Sequence, residues 1–346
     1  MIAYNSKVLT GQSGKWLSYE DPNPLNLPPF TMRILFEDLT YNPTNAPSGS
    51  WKTGATWTRV SSDPNVWDYC RTTNNPEDWS DEFKATKDGQ LGDSRFHVLG
   101  ANTTGVTDMS AMFYNTGICS TVLFDTSAVT DMSAMFSSTG TIFERGTPFI
   151  TSIPRFDTHN VTDMSYMFYY SDLTSLPLLD TGNVTSMKGM FQGITAFNNP
   201  GIASIPDLDT SKVTDMSYMF NQSGLEIVPD LDYSHATDMS SIFSFSLITY
   251  CPDLYTPSVT NLSAAFEHTP LTNVPDLTTD NATDVRWMFN VCPLVESGAL
   301  DLYTKMSSQT TPPSLHNSCF AACGSSTTTG AAELAQIPNS WGGTAP

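Results

Sequence analysis

Basic side chains are scarce in this chain. Lys and Arg number 15 against 35 Asp and Glu in 346 residues, a formal net charge of -20. Nucleic acid and anionic membranes reward clustered Lys and Arg, so neither is an expected partner. Long apolar runs are missing too. None approaches the roughly eighteen residues that a membrane-spanning helix requires, so no membrane insertion is expected. The opening residues Met1–Lys7 lack the charged segment, apolar stretch and small-residue cleavage site of a secretory signal, so export by that route is not expected. Cysteine is sparse and scattered. Cys70, Cys119, Cys251, Cys292, Cys319 and Cys323 match neither a disulfide-dense scaffold nor zinc-finger spacing.

What is present is apolar and periodic. Hydrophobic residues make up 39% of the chain, enough for a folded core. The pattern V-T-D-M-S-x-M-F begins at Val106, Val129, Val161, Val184, Val213, Ala236, Val259 and Ala282, which sets a unit of 23 residues with insertions in the second and fourth units. One column is phenylalanine throughout: Phe113, Phe136, Phe168, Phe191, Phe220, Phe243, Phe266 and Phe289. Four residues earlier stands Met109, Met132, Met164, Met187, Met216, Met239, Leu262 or Val285. A third apolar column runs through Phe124, Phe156, Leu179, Leu208, Leu231, Leu254, Leu277 and Leu300.

A single unit holds too few apolar residues to fold alone, so neighbouring units must stack. The period falls in the range of leucine-rich repeats. The expected fold is therefore a leucine-rich-repeat-like solenoid, with short β-strands plus one helical turn per 23-residue unit, over residues 101–302. Residues 29–100 are expected to form a small β-rich capping domain, with strands near 30–36, 55–60, 66–70 and 96–100 and a short helix at 78–83. The stretch Pro22–Pro29 reads as a stiff linker that closes an N-terminal docking segment, residues 1–28. Residues 303–346 are expected as a worn repeat, Leu315–Phe320, followed by a C-terminal cap around Glu333–Pro338 and Trp341.

Candidate sites follow from columns that the core does not absorb. Asp108, Asp131, Asp163, Asp215, Asp238 and Asp284, with Ser186 and Asn261, are all residues that cap a turn, so capping explains them without a ligand. A second column, Asp207, Asp230, Asp253 and Asp276, sits beside recurrent prolines. Like charges at the inter-strand spacing of about 4.8 Å repel, which leaves three outcomes: the side chains splay into solvent, a bound calcium bridges them, or they meet a ligand. No cofactor is expected unless calcium bridges that column. Tyr166, Tyr169, Tyr170, Tyr218, Tyr250 and Trp287 lie off the core columns and vary between units, as a recognition surface would. Cys119, Cys251 and Cys292 are expected as buried thiols. The five histidines fall at different repeat phases and form no recognisable motif with a Ser, Cys or carboxylate. No enzyme is expected, and glycan cleavage by paired carboxylates is the catalytic alternative.

The stretch Val161-Thr162-Asp163-Met164-Ser165-Tyr166-Met167-Phe168, with the return Leu173-Thr174-Ser175-Leu176-Pro177-Leu178-Leu179-Asp180-Thr181, resembles the repeat of BspA-like bacterial surface proteins. Val106 to about Leu302 carries the resemblance. It implies an adhesive surface protein, and similar repeats occur in proteins of phages that infect gut bacteria. A surface repeat without an export signal fits a phage particle, whose proteins reach the outside by lysis. The expected function is a non-enzymatic virion protein of tail- or head-fibre type. Its N-terminal region would meet other virion proteins, its repeat face would meet a host glycan or protein, and a second copy of the chain is a further partner. A bacterial cell-surface adhesin and a purely structural decoration protein are the alternatives.

Overall fold

A computed structural model describes residues 22–23, 25–38, 42–45, 55–60, 63, 65–71, 78–80, 82–83, 95–139, 150–171, 173, 175–193, 205 and 207–346. The proposed docking segment lies outside these residues except at its end, as do most of the insertions in the second and fourth units.

Regular strand among the described residues is gathered in one five-stranded mixed sheet. Its strands are β1 (Thr31–Phe36), β2 (Ala55–Arg59), β3 (Val66–Arg71), β4 (Phe96–Asn102) and β5 (Ile118–Ser120), in the order β2-β3-β1-β4-β5. All pairings are antiparallel except β4 with β5. Alternation sets one face inward: Met32, Ile34, Phe36, Tyr69, Phe96 and Val98 are buried. The sheet reaches past residue 100, since β4 ends at Asn102 and β5 lies in the first repeat unit. Residues 25–29, expected as a linker, lie on the sheet. Leu27 is buried, its carbonyl accepts a hydrogen bond from Asn102 at 2.8 Å, and the Leu25 side chain covers Gly100.

The leucine-rich-repeat-like solenoid of strand plus helical turn is not formed. Apart from three-residue β5, the described repeat units contain no strand, and among the described residues the α-helices are confined to α1 (Ala299–Ser307) and α2 (Thr328–Leu334). The Met-x-x-Met-Phe segment is a pair of tight turns. Met112 N–H bonds to Met109 O at 3.2 Å and Tyr114 N–H to Ala111 O at 3.0 Å. The second of the two residues between the methionines takes a left-handed backbone, with φ of 51° at Ala111, 56° at Tyr166 and 59° at Tyr218, and another follows at Asn115, Tyr170 and Gln222. A left-handed residue ends a right-handed helix wherever it occurs. On the return, Pro177, Pro229, Pro252 and Pro275 remove donors that a strand ladder needs, and among the described residues only single bridges form, such as Ile227 with Tyr250 and Leu254 with Leu277.

Successive units meet through their backbones and rings. Met109, Ala111, Phe113 and Asn115 donate their N–H groups to Asp131, Ser133, Met135 and Ser137 of the next unit at 3.0, 2.6, 3.0 and 2.9 Å. These bonds offset the cost of the left-handed residues, about 1–2 kcal/mol each. Ala134→Gly, at φ 54°, should therefore leave the urea midpoint unchanged or raise it by the equivalent of about 1 kcal/mol, whereas Gly in ordinary backbone costs about that much. A clear fall in the midpoint would mean that Ala134 is not held left-handed.

The phenylalanine column is a ladder of rings, with centroids 5.6 Å apart for Phe113–Phe136 and 5.0 Å for Phe266–Phe289. It begins one unit earlier than the repeat pattern. At Asp78–Phe83, expected as a helix, the described residues form none: Asp78 bridges Asp108 and Phe83 stacks on Phe113 at 5.5 Å. In that unit Glu82 stands where Met112 stands in the next. Its buried carboxylate pairs with Arg71 of β3 at 2.5 Å, and burying either charge alone would cost several kcal/mol. The pair ties sheet to turns. At the other end Phe320 stacks on Phe289 at 6.0 Å and donates its N–H to the carbonyl of buried Trp341. Met32 through Trp341 belong to one continuous apolar core.

Candidate functional site

The first aspartate column caps turns, though not of helices. Asp108, Asp131, Asp163, Asp215 and Asp238 each accept the N–H of the residue two positions on, at 2.9, 2.8, 2.7, 2.9 and 2.8 Å. Capping absorbs the column.

The left-handed positions form two columns along the turns. Side-chain identities there vary, and so does burial: Ser138 and Ala264 are buried, whereas some of the largest rings are exposed. The first carries Tyr166, Tyr218 and Trp287, with Ala, Gly or Ser in the units between. The second carries Tyr170, Phe245 and His268. Tyr218, Phe245 and Trp287 are 38%, 43% and 40% exposed. Phe245 stacks on His268 at 4.4 Å, and the Arg286 guanidinium sits 5.3 Å from the Trp287 ring. Tyr166, Tyr169 and Tyr170 form a half-buried cluster, with centroids 5.7 Å apart for the first two and 4.0 Å for the last two. The Tyr166 ring lies over Gly189, where a Cβ would collide with it. Burial pushes the Tyr166 and Tyr169 phenols above their ordinary value, and the adjoining Tyr170 adds to the rise at Tyr169. This cluster is partly structural, and the freely exposed rings lie beyond it.

Tyr250 is not on that face. It lies on the return beside Ile227, at 60% and 77% exposure, near a groove of about 460 Å³ lined by Ile205, Asp207, Leu225, Val228 and Pro229. The second aspartate column borders the same face, and all four carboxylates are exposed. Asp253 accepts the Asp276 N–H at 2.9 Å, and Asp276 accepts Lys305 Nζ at 2.6 Å. Two of the four charges thus find protein partners. Among the described residues, Asp207, Asp230, Asp253 and Asp276 do not converge into a group of three ligands.

A cluster that the repeat pattern does not contain lies on the outer side of the sheet. His97 Nε2 meets Glu37 Oε1 at 3.0 Å and His97 Nδ1 meets Ser120 Oγ at 2.8 Å, while Glu37 Oε2 accepts Arg95 Nε at 2.7 Å. Burial would raise the Glu37 carboxyl, but hydrogen bonds and charge from Arg95 and His97 hold it below its usual value. Cys119, expected as buried, is half-buried here, and desolvation pushes its thiol up to about 11. Cys251 and Cys292 are buried as expected. Hydroxyl, imidazole and carboxylate in a hydrogen-bonded row are the parts of a nucleophilic relay. Glu37 and Ser120 are exposed, however, so the row lacks the water exclusion that makes such chemistry effective.

Among the described residues no helix is long and apolar enough to cross a membrane. No curated protein and no solved structure matches the chain. A family described as "Mycoplasma protein of unknown function, DUF285" matches residues 93–178 and again 140–248, which together make less than half of the chain. Those matches fall on the turn units and agree with a BspA-like repeat.

Proposed function

We propose that this chain is a non-enzymatic display protein whose turn face binds a glycan or protein on another surface. The observation that carries the reading is the placement of Tyr218, Phe245 and Trp287: large exposed rings at left-handed positions where other units carry Ala, Gly or Ser in the first column and Asn, Ser or Gln in the second. Core packing does not account for such rings, and exposed aromatics of this kind supply binding hot spots. The carrier we propose is a phage virion, with the chain as a tail- or head-fibre component and its N-terminal region against other virion proteins. That step rests on the likeness to repeats shared by bacterial surface proteins and phage proteins.

Gold-labelled antibodies against residues 106–300, applied to intact particles and to host cells, test the carrier. Label on fibres is the expected result. Label confined to the bacterial wall would make the chain an adhesin instead. Label spread over the capsid, with no cell binding by the purified chain, would make it a decoration protein.

A further inference from the structure

We propose that Glu37, His97 and Cys119 form a binding site for a divalent cation of the zinc class on the outer side of the five-stranded sheet. Their donor atoms all lie within 4.8 Å of one another. Ligands around a tetrahedral zinc stand about 3.3–3.7 Å apart, so small side-chain rotations close the site. One sulfur, one imidazole nitrogen and one carboxylate oxygen suit zinc and its neighbours and disfavour calcium or magnesium, which take oxygen.

The backbone assembles the set from three chain segments. Glu37 follows β1 and is anchored by its N–H on Arg95 O at 2.9 Å, while His97 stands on β4. The pairing of β4 with β5 shifts register between Phe96 and His97, so that Phe96 faces Ile118 and His97 faces Ser120. That irregularity brings both Cys119 and Ser120 beside the imidazole, the kind of re-aiming that bulges produce. The outer groups are also those of a metal site. Ser120 Oγ holds Nδ1 and leaves Nε2 directed at Glu37, and Arg95 fixes one carboxylate oxygen and leaves Oε1 for the ion. On binding, the Cys119 thiol releases its proton to solvent and the thiolate ligates.

The test uses the full, tag-free chain. Dialysed against zinc chloride and then buffer, it should retain one zinc per chain. With cobalt(II) chloride it should show the near-ultraviolet charge-transfer absorption of a cobalt thiolate. Cys119→Ser should abolish that absorption, His97→Gln and Glu37→Gln should each weaken binding at least tenfold, and Ser120→Ala should weaken it about tenfold as an outer-shell change. Cys70→Ser, on β3, should change nothing. Melting of each variant in metal-free buffer checks its fold, and His97→Gln and Ser120→Ala carry the test if Cys119→Ser does not fold. Failure to retain zinc, absorption that survives Cys119→Ser, or equal loss in Cys70→Ser would overturn the proposal.

Discussion

Phe191→Ala is expected to cost about 3–5 kcal/mol of stability, read as a fall in the urea midpoint at unchanged slope. The Phe191 ring is buried and stacked on Phe168 at 5.9 Å and Phe220 at 5.6 Å, so truncation opens a cavity between two neighbouring units. The loss combines the transfer term for a large apolar side chain, about 1.5–3 kcal/mol, with the cavity term and two ring contacts of about 0.5–1.5 kcal/mol each. Relaxation is restricted. The Phe191 N–H is fixed on Met219 O at 2.9 Å, and its neighbours are held by equivalent bonds. Phe245→Ala makes the same chemical change at an exposed position and should cost no more than about 1 kcal/mol. Equal midpoints for the two variants would mean that the ring ladder is not what holds the units together.

The repeat phase and the apolar columns were legible because burial recurs every 23 residues, and the buried Val, Met and Phe positions follow it through the described units. Four strands were legible from alternation between turn residues. The conformation inside a unit was not. Left-handed backbone is normally signalled by Gly or Asn, whereas here it falls on Ala134, Tyr218 and Trp287, because bonds between units impose it. Asp followed by Met-x-x-Met-Phe therefore reads as a helix start when it is a capped turn. The unit at Asp78–Phe83 was hidden by Trp79 and Glu82 in place of methionines, although Asp78, Ser80 and Phe83 keep the spacing that would reveal it.

The candidate sites divide in the same way. Variation between units pointed to Tyr166, Tyr218 and Trp287 on one face. It missed Phe245, which sits in the second left-handed column, and it grouped Tyr250 with a face it does not share. Nothing local marks the Glu37 cluster. His97 is 60 residues from Glu37, and only the β1–β4–β5 pairing brings them together.

The largest functional effect is expected from the triple change Tyr218→Ser, Phe245→Ser and Trp287→Ser. Aromatic hot spots commonly contribute 2 kcal/mol or more each, so removing three should weaken binding by well over a hundredfold. Folding should survive, because Ser241 already occupies the first left-handed column at φ 54° and Ser138 the second at φ 55°. A second variant, Ile227→Ser with Tyr250→Ser, strips the return face and leaves the turn face intact. The direct measurement is retention of labelled chain on host cells for the parent and both variants, with melting curves as the fold control. Retention should be lost in the turn-face variant and kept in the return-face variant. Loss only in the return-face variant, or equal retention in all three, would contradict recognition by the turn face.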